Sequence, residues 1–226
     1  TANLEAYDAF LLGRYHTFRQ TPEDLHLAVT HLEHATTLDP NFAEAFAVLG
    51  WSYSFLGTNY GDLLPTEAYP KAKEAALKAI ALDGNLPDAR SLYADILTWY
   101  DWDFEAAERE YLKTMDLDSL NVLGYALFLS VQERHDEALE LIERRLLASP
   151  DDPYVHVNAA WRFLSARRYD RAVEEAERAG NHADARSALG FTWLAKEDTE
   201  RAISCFESDL NDRGRLPQQL SNLAVA

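Results

Sequence analysis

Residues 28–40 read Ala28-Val29-Thr30-His31-Leu32-Glu33-His34-Ala35-Thr36-Thr37-Leu38-Asp39-Pro40. An alanine is followed four residues on by a bulky apolar residue, and three later by a second small one. That spacing puts all three on one face of a helix. Leu38-Asp39-Pro40 closes the phrase: the leucine completes the apolar face and proline cannot continue the helix. The phrase recurs. Its anchors are Ala28, Ala72, Ala107, Ala138, Ala172 and Ala202, separated by 44, 35, 31, 34 and 30 residues. Self-similarity at such a period marks a stack of supersecondary units.

Each anchor belongs to the second helix of a pair. Upstream, each first helix carries an apolar or small residue followed by a small one: Leu12-Gly13, Leu49-Gly50, Tyr93-Ala94, Tyr125-Ala126, Ala159-Ala160 and Leu189-Gly190. A small residue is needed where two helices approach closely, because a larger one would push the axes beyond the usual separation of roughly 8–10 Å. Leu32, Tyr111, Ile142 and Phe206, four residues after their anchors, are expected to fill layers between repeats, with Ala76 and Ala176 smaller there. Second helices are expected to end at Leu38-Asp39-Pro40, Leu82-Asp83-Gly84, Leu117-Asp118-Ser119, Ser149-Pro150, Gly180 and Gly214. Thr17 to Pro22 lengthens the first hairpin, Thr58 to Tyr69 the second, and Tyr100 to Phe104 forms the turn of the third.

On these residues the chain resembles the tetratricopeptide repeat (TPR) family over nearly its whole length. The small-residue and alanine positions match in all six units, whereas the repeat-end proline matches only at Pro40 and Pro150. The resemblance implies an all-α, right-handed superhelical solenoid of antiparallel hairpins. Its units run at about 4–40, 41–84, 85–118, 119–150, 151–182 and 183–214, in one domain spanning 1–226. A partial seventh unit at 216–226 would cap the sixth, with Leu220, Leu223 and Ala224 as its apolar and small residues. Ala6-Tyr7-Asp8, Gly13-Arg14-Tyr15, Tyr60-Gly61, Tyr69-Pro70-Lys71-Ala72 and Asp101-Trp102-Asp103 further resemble the C-terminal repeat regions of bacterial multidomain regulators. The chain begins with Thr1 and reads as a fragment of such a protein, its effector domain lying elsewhere.

Composition narrows the partners. With 21 lysines and arginines against 38 acids, the formal charge is −17, and both halves are acidic. That argues against direct nucleic-acid binding and permits a cationic or apolar peptide. The most apolar stretch, near Val122 to Val131, is about half a membrane span, so no membrane association is expected. Cys205 is the single cysteine; no intrachain disulfide is possible, which fits a reducing cytoplasm.

No catalytic motif stands out, and neither enzyme activity nor a cofactor is expected. His26, His31 and His34 share a helix, but metal binding is weaker as a reading than surface histidines. Asp101, Asp103 and Glu105 could hold a cation, though helix capping by Asp103 is the stronger reading. Arg162, Arg167, Arg168 and Arg171 read as a solvated basic turn, or else as a contact for a carboxylate or phosphate.

In a TPR array the inward positions lie on the first helices. The resemblance assigns them to Tyr7, Phe10 and Arg14; Glu44, Ala47, Trp51, Ser54 and Phe55; Asp88, Ser91, Asp95, Thr98 and Trp99; then Leu127, Tyr154, Trp161 and Phe191. This stripe is rich in aromatic residues, the typical anchors of a peptide. The expected function is therefore a protein-interaction scaffold. Its partner would be a peptide, another protein or an effector domain of the same polypeptide. Clamping of a C-terminal carboxylate by groove lysines and asparagines is not expected, because Ala47, Trp51, Ser91 and Asp95 stand at the inward positions. Two alternatives are self-association into a homodimer, and a small-ligand sensor or enzyme with a pocket under the 58–69 loop.

Overall fold

The computed structural model describes residues 4–58, 61–182 and 184–213, of which the side chains are described through residue 210. The expected cap at 216–226 and the stop at Gly214 lie outside them. The described residues form helices joined by turns, with no strand among them. They form two compact units, residues 1–121 and 122–226.

In the first unit the helices are α1 (Leu4–Arg19), α2 (Pro22–Leu38), α3 (Ala43–Leu56), α4 (Pro65–Leu82), α5 (Pro87–Ile96) and α6 (Phe104–Leu117). In the second they are α7 (Leu123–Val131), α8 (His135–Ala148), α9 (Pro153–Ser165), α10 (Tyr169–Arg178), α11 (Ala185–Ala195) and α12 (Thr199–Arg213). Each odd-numbered helix packs on the even one that follows it, forming a hairpin.

The small-against-large rule explains these hairpins. All six anchor alanines are at most 1% exposed. A Cβ added to Gly13 would stand 2.4 Å from Leu32 Cγ, and one added to Gly190 would stand 2.3 Å from Phe206 Cε1. Leu32 and Phe206 therefore rest on the small residue of their own hairpin. Gly50 serves both contacts: its Cβ would meet Leu92 Cδ2 at 2.5 Å and the Ala72 carbonyl at 3.1 Å.

Helix ends follow a second rule. Asp39, Asp83 and Asp118 leave the helical conformation, with φ between −132° and −139°. Each carboxylate accepts a hydrogen bond from the backbone N–H two residues on, at Asn41, Asn85 and Leu120, over 2.9–3.0 Å. The aspartate itself is thus the stop signal, because its side chain offers the backbone an alternative to the helix. Gly180 ends the fifth hairpin differently. Its φ is +60°, and nothing lies within 4 Å of where a Cβ would be. Glycine is used there for backbone freedom, not for space.

The two insertions turn out more helical than expected. Thr17 and Phe18 extend α1, leaving only Gln20 (φ 51°) and Thr21, which caps α2, in the turn. The buried Thr17 hydroxyl bonds to Ser52 of α3 at 2.8 Å. The long second loop ends at Leu64, because Pro65 starts α4; proline suits a first turn, where its missing N–H costs nothing. The third hairpin holds a π-helical turn, Leu97–Asp101, closed by Trp102 in the left-handed conformation at φ 58°.

Candidate functional site

Within each unit the first helices lie side by side: α3 against α1 and α5, and α9 against α7 and α11. The residues assigned to the inward face fall into two groups by exposure. Tyr7, Trp99 and Tyr154 are exposed, at 45%, 36% and 52%. Phe10 is buried against Phe42, centroids 4.8 Å apart, with Arg14 over its ring at 5.4 Å. Trp51 and Phe55, 5.6 Å apart, are half-buried at the edge of the first unit's core. Trp161 is half-buried too. It packs on Val157, Ala179 and Ala185, and meets Phe191 at 5.7 Å. Leu127 is half-buried. Phe10, Trp51, Phe55 and Trp161 thus pack in or against the cores, a role that spacing alone does not resolve. Phe42, just before α3, stacks on Tyr7 and was not singled out by the sequence.

Asp95 is one of two charged residues, with Asp88, that α5 contributes to the assigned positions. It accepts a hydrogen bond from the Tyr111 hydroxyl at 2.5 Å. Burial lifts its carboxyl from 3.8 to about 7, against the opposing pull of that hydrogen bond. The folded value lies above the unfolded one, so the native state binds more protons than the unfolded chain between about pH 4 and 7. Stability should therefore fall as pH rises through that window. Asp95→Asn cannot ionise, and urea unfolding should show its advantage over the wild type growing from pH 4 to pH 8. An advantage independent of pH would contradict this environment for Asp95.

The remaining candidates separate. His26 pairs with Asp62 at 2.8 Å, His34 approaches Glu5 at 3.6 Å, and half-buried His31 stacks on His16 at 5.7 Å. Asp103 caps α6 by accepting from the Ala106 N–H, Asp101 pairs with Lys73 at 2.6 Å, and Glu105 with Arg109. Burial pushes the Cys205 thiol up, outweighing the nearby Arg186. The four arginines do not form one solvated turn. Arg167 and Arg168 are exposed, and Arg171 lies 4.4 Å from the Phe163 ring among Glu143, Glu174 and Glu175. Arg162 is only 8% exposed.

Beneath the second loop, Leu63 packs against the core. Gly61 lies so close to α3 that a Cβ would be 2.2 Å from Leu56 Cα. Two open recesses are found elsewhere. One, of about 190 Å³, is lined by Gly84, Asn85, Arg90, Lys113, Asp116 and Leu117. The other, of about 520 Å³, is lined by Asp136, Leu139, Glu140, Glu143, Phe163, Arg168 and Arg171. Neither involves the loop.

One buried polar pair escaped the sequence reading. His156 of α9 and Glu175 of α10 are 4% and 1% exposed and bond at 2.7 Å through Nδ1. The other ring nitrogen meets the Pro150 carbonyl oxygen at 2.8 Å. Both ring nitrogens thus lie within hydrogen-bond reach of an oxygen. Glu175 Oε1 also lies 3.4 Å from Arg171.

No family model matches the chain. It is 25% identical to the transcriptional regulator HilA of Salmonella paratyphi A over 183 residues, 79% of this chain and 32% of that protein. The chain thus spans about a third of that relative's length. Among solved structures it is similar to PilW, a type IV pilus biogenesis factor (TM-score 0.67, 16% identity, 98% of this chain and 100% of that one). It is similar also to PilF of Pseudomonas aeruginosa (TM-score 0.60, 19% identity, 99% and 98%). A third similar structure is a tetratricopeptide repeat protein of Parabacteroides merdae (TM-score 0.60, 17% identity, 97% and 98%). Together with the hairpins and their small-against-large contacts, these likenesses establish that the chain has the tetratricopeptide repeat fold.

Proposed function

We propose that this chain is a protein-interaction scaffold, the regulatory or interaction region of a larger bacterial protein. A peptide or partner domain would bind along the face of its first helices. The observation that carries this reading is that rings stay exposed at positions the resemblance assigns to the inward face, Tyr7 and Trp99 in the first unit and Tyr154 in the second. Such rings supply contact area at little entropic cost, which is why they dominate binding hot spots. A net charge of −17 favours a cationic partner through its field. The likeness to part of a transcriptional regulator supports the larger-protein context. Direct nucleic-acid binding fits poorly with that charge. No described helix is long and apolar enough to cross a membrane.

The test uses a partner captured from lysate of the source bacterium and then purified. Its affinity should fall at least tenfold for the double variant Trp99→Ala, Tyr154→Ala, with helical content unchanged. Leu77→Ala with Leu147→Ala, on exposed positions of second helices, should leave affinity intact. The reverse pattern would place binding on the other face and overturn the reading.

A further inference from the structure

Arg162 stands two residues past the small residue of its first helix. The same register holds Ser52, Ile96, Phe128 and Thr192, each at most 2% exposed. It holds Tyr15 in the first hairpin, 58% exposed where no earlier described helix covers it. Ser52 bonds to Thr17 of the preceding first helix, so the register turns toward that neighbour. Hydroxyls and apolar side chains suit such a place; a guanidinium does not. Arg162 is 8% exposed, its Nε is buried without a hydrogen-bond partner, and its side chain has no acceptor among the described residues.

Other arginines are paired with carboxylates. Arg90 pairs with Glu110, Arg134 with Glu137, Arg178 with Glu174 and Arg201 with Asp198. Burying an unpaired cation is costly, and the usual resolution is a carboxylate. Burial lowers the Arg162 pKa to about 10, so it remains a cation at neutral pH. The ionisable group that acts on it is Tyr154, half of which is exposed on the proposed binding face.

We propose that Arg162 is a carboxylate-binding residue of the α9 face, which takes an acidic side chain of the partner segment beside Tyr154; this rests on the binding face proposed above. The guanidinium fork matches a carboxylate with two parallel hydrogen bonds. One cation balances one monoanion. A phosphate dianion would leave a second negative charge uncompensated in a chain already at −17. The partner is then a segment with a glutamate or aspartate at one point, whatever its overall charge.

The test follows the Arg162 Nε–H resonance in the full chain labelled with 15N-arginine, assigned by its loss in Arg162→Lys. Three blocked probes are titrated: acetyl-Leu-Glu-Leu-amide, its glutamine counterpart and its phosphoserine counterpart. The glutamyl probe should shift the resonance saturably. The glutamine probe should bind about tenfold to a hundredfold more weakly, the range a charge-assisted hydrogen bond supplies. The phosphoserine probe should bind no tighter than the glutamyl one. An unmoved resonance, equal response to glutamate and glutamine, or tighter phosphoserine binding would each overturn the assignment.

Arg162→Met separates binding from a structural role. It should leave the urea midpoint unchanged or higher while glutamyl affinity drops at least tenfold; a lower midpoint with affinity kept would refute the proposal. If Trp99→Ala, Tyr154→Ala loses the captured partner while Arg162 stays silent, the face stands and the carboxylate site fails. If Arg162 responds while that variant keeps its partner, the carboxylate site stands and the face fails.

Discussion

Glu175→Ala is expected to destabilise the chain by about 3–5 kcal/mol, the cost of removing one partner of a buried pair. Glu175 is 1% exposed and is the shared acceptor of His156 and Arg171. Its removal leaves the His156 ring, held between α9 and α10, facing nothing on one side. His156→Ala should cost less, because the Glu175 carboxylate keeps Arg171 at 3.4 Å and Arg178 at 3.8 Å. The two losses should not add. Once Glu175 is gone, His156 contributes only its packing and its bond to Pro150, so the double variant should fall at least 1 kcal/mol short of the sum. Urea unfolding of the four proteins, followed by helical circular dichroism, measures this. Additive losses, or a Glu175→Ala cost under 1 kcal/mol, would show that the pair is not a coupled buried contact.

Gly190→Ala should cost about 1–3 kcal/mol by overpacking. The new methyl would meet three atoms of the Phe206 ring at 2.3, 2.6 and 2.7 Å, and Phe206 is fully buried with no room to withdraw. A helix interior ordinarily gains from glycine to alanine, by up to about 1 kcal/mol. The sign of the change therefore discriminates between a packing glycine and an incidental one. Phe206→Leu in the same chain should relieve the clash, making the double variant more stable than the sum of the single changes predicts by about 1 kcal/mol or more. Strict additivity would contradict the direct contact between these two positions.

The helical-hairpin architecture was legible because close packing of helices requires a small residue against a large one, and that demand repeats along the sequence. Gly13 with Leu32 and Gly190 with Phe206 are that demand in atomic form. Helix ends were legible in place but not in cause. The reading credited proline and glycine, whereas Asp39, Asp83 and Asp118 stop the chain with their own side chains. Extra residues can lengthen a helix as easily as a loop: residues 65–69 of the expected 58–69 loop already belong to α4. Thr17 does so by finding Ser52 across the interface, a partner 35 residues away.

The candidate face was legible as a register and not as a surface. Spacing places Trp51, Trp99 and Trp161 alike, yet of the three only Trp99, which stands in the π-helical turn, is exposed. His156 looked like background because its partner is 19 residues away on another helix. Arg162 was grouped with Arg167, Arg168 and Arg171 by proximity in sequence; three of the four lie toward solvent, while the helix turns Arg162 inward.

The central claim is that partners bind along the first helices. Hydrogen–deuterium exchange of the full chain, with and without the captured partner, tests it most directly. Slowed exchange confined to first helices and the π-helical turn that continues α5, above all around Trp99 in that turn and around Tyr154 in α9, is the result this account predicts. Slowed exchange in α4, α6, α8 or α10 with the first helices unchanged would contradict it.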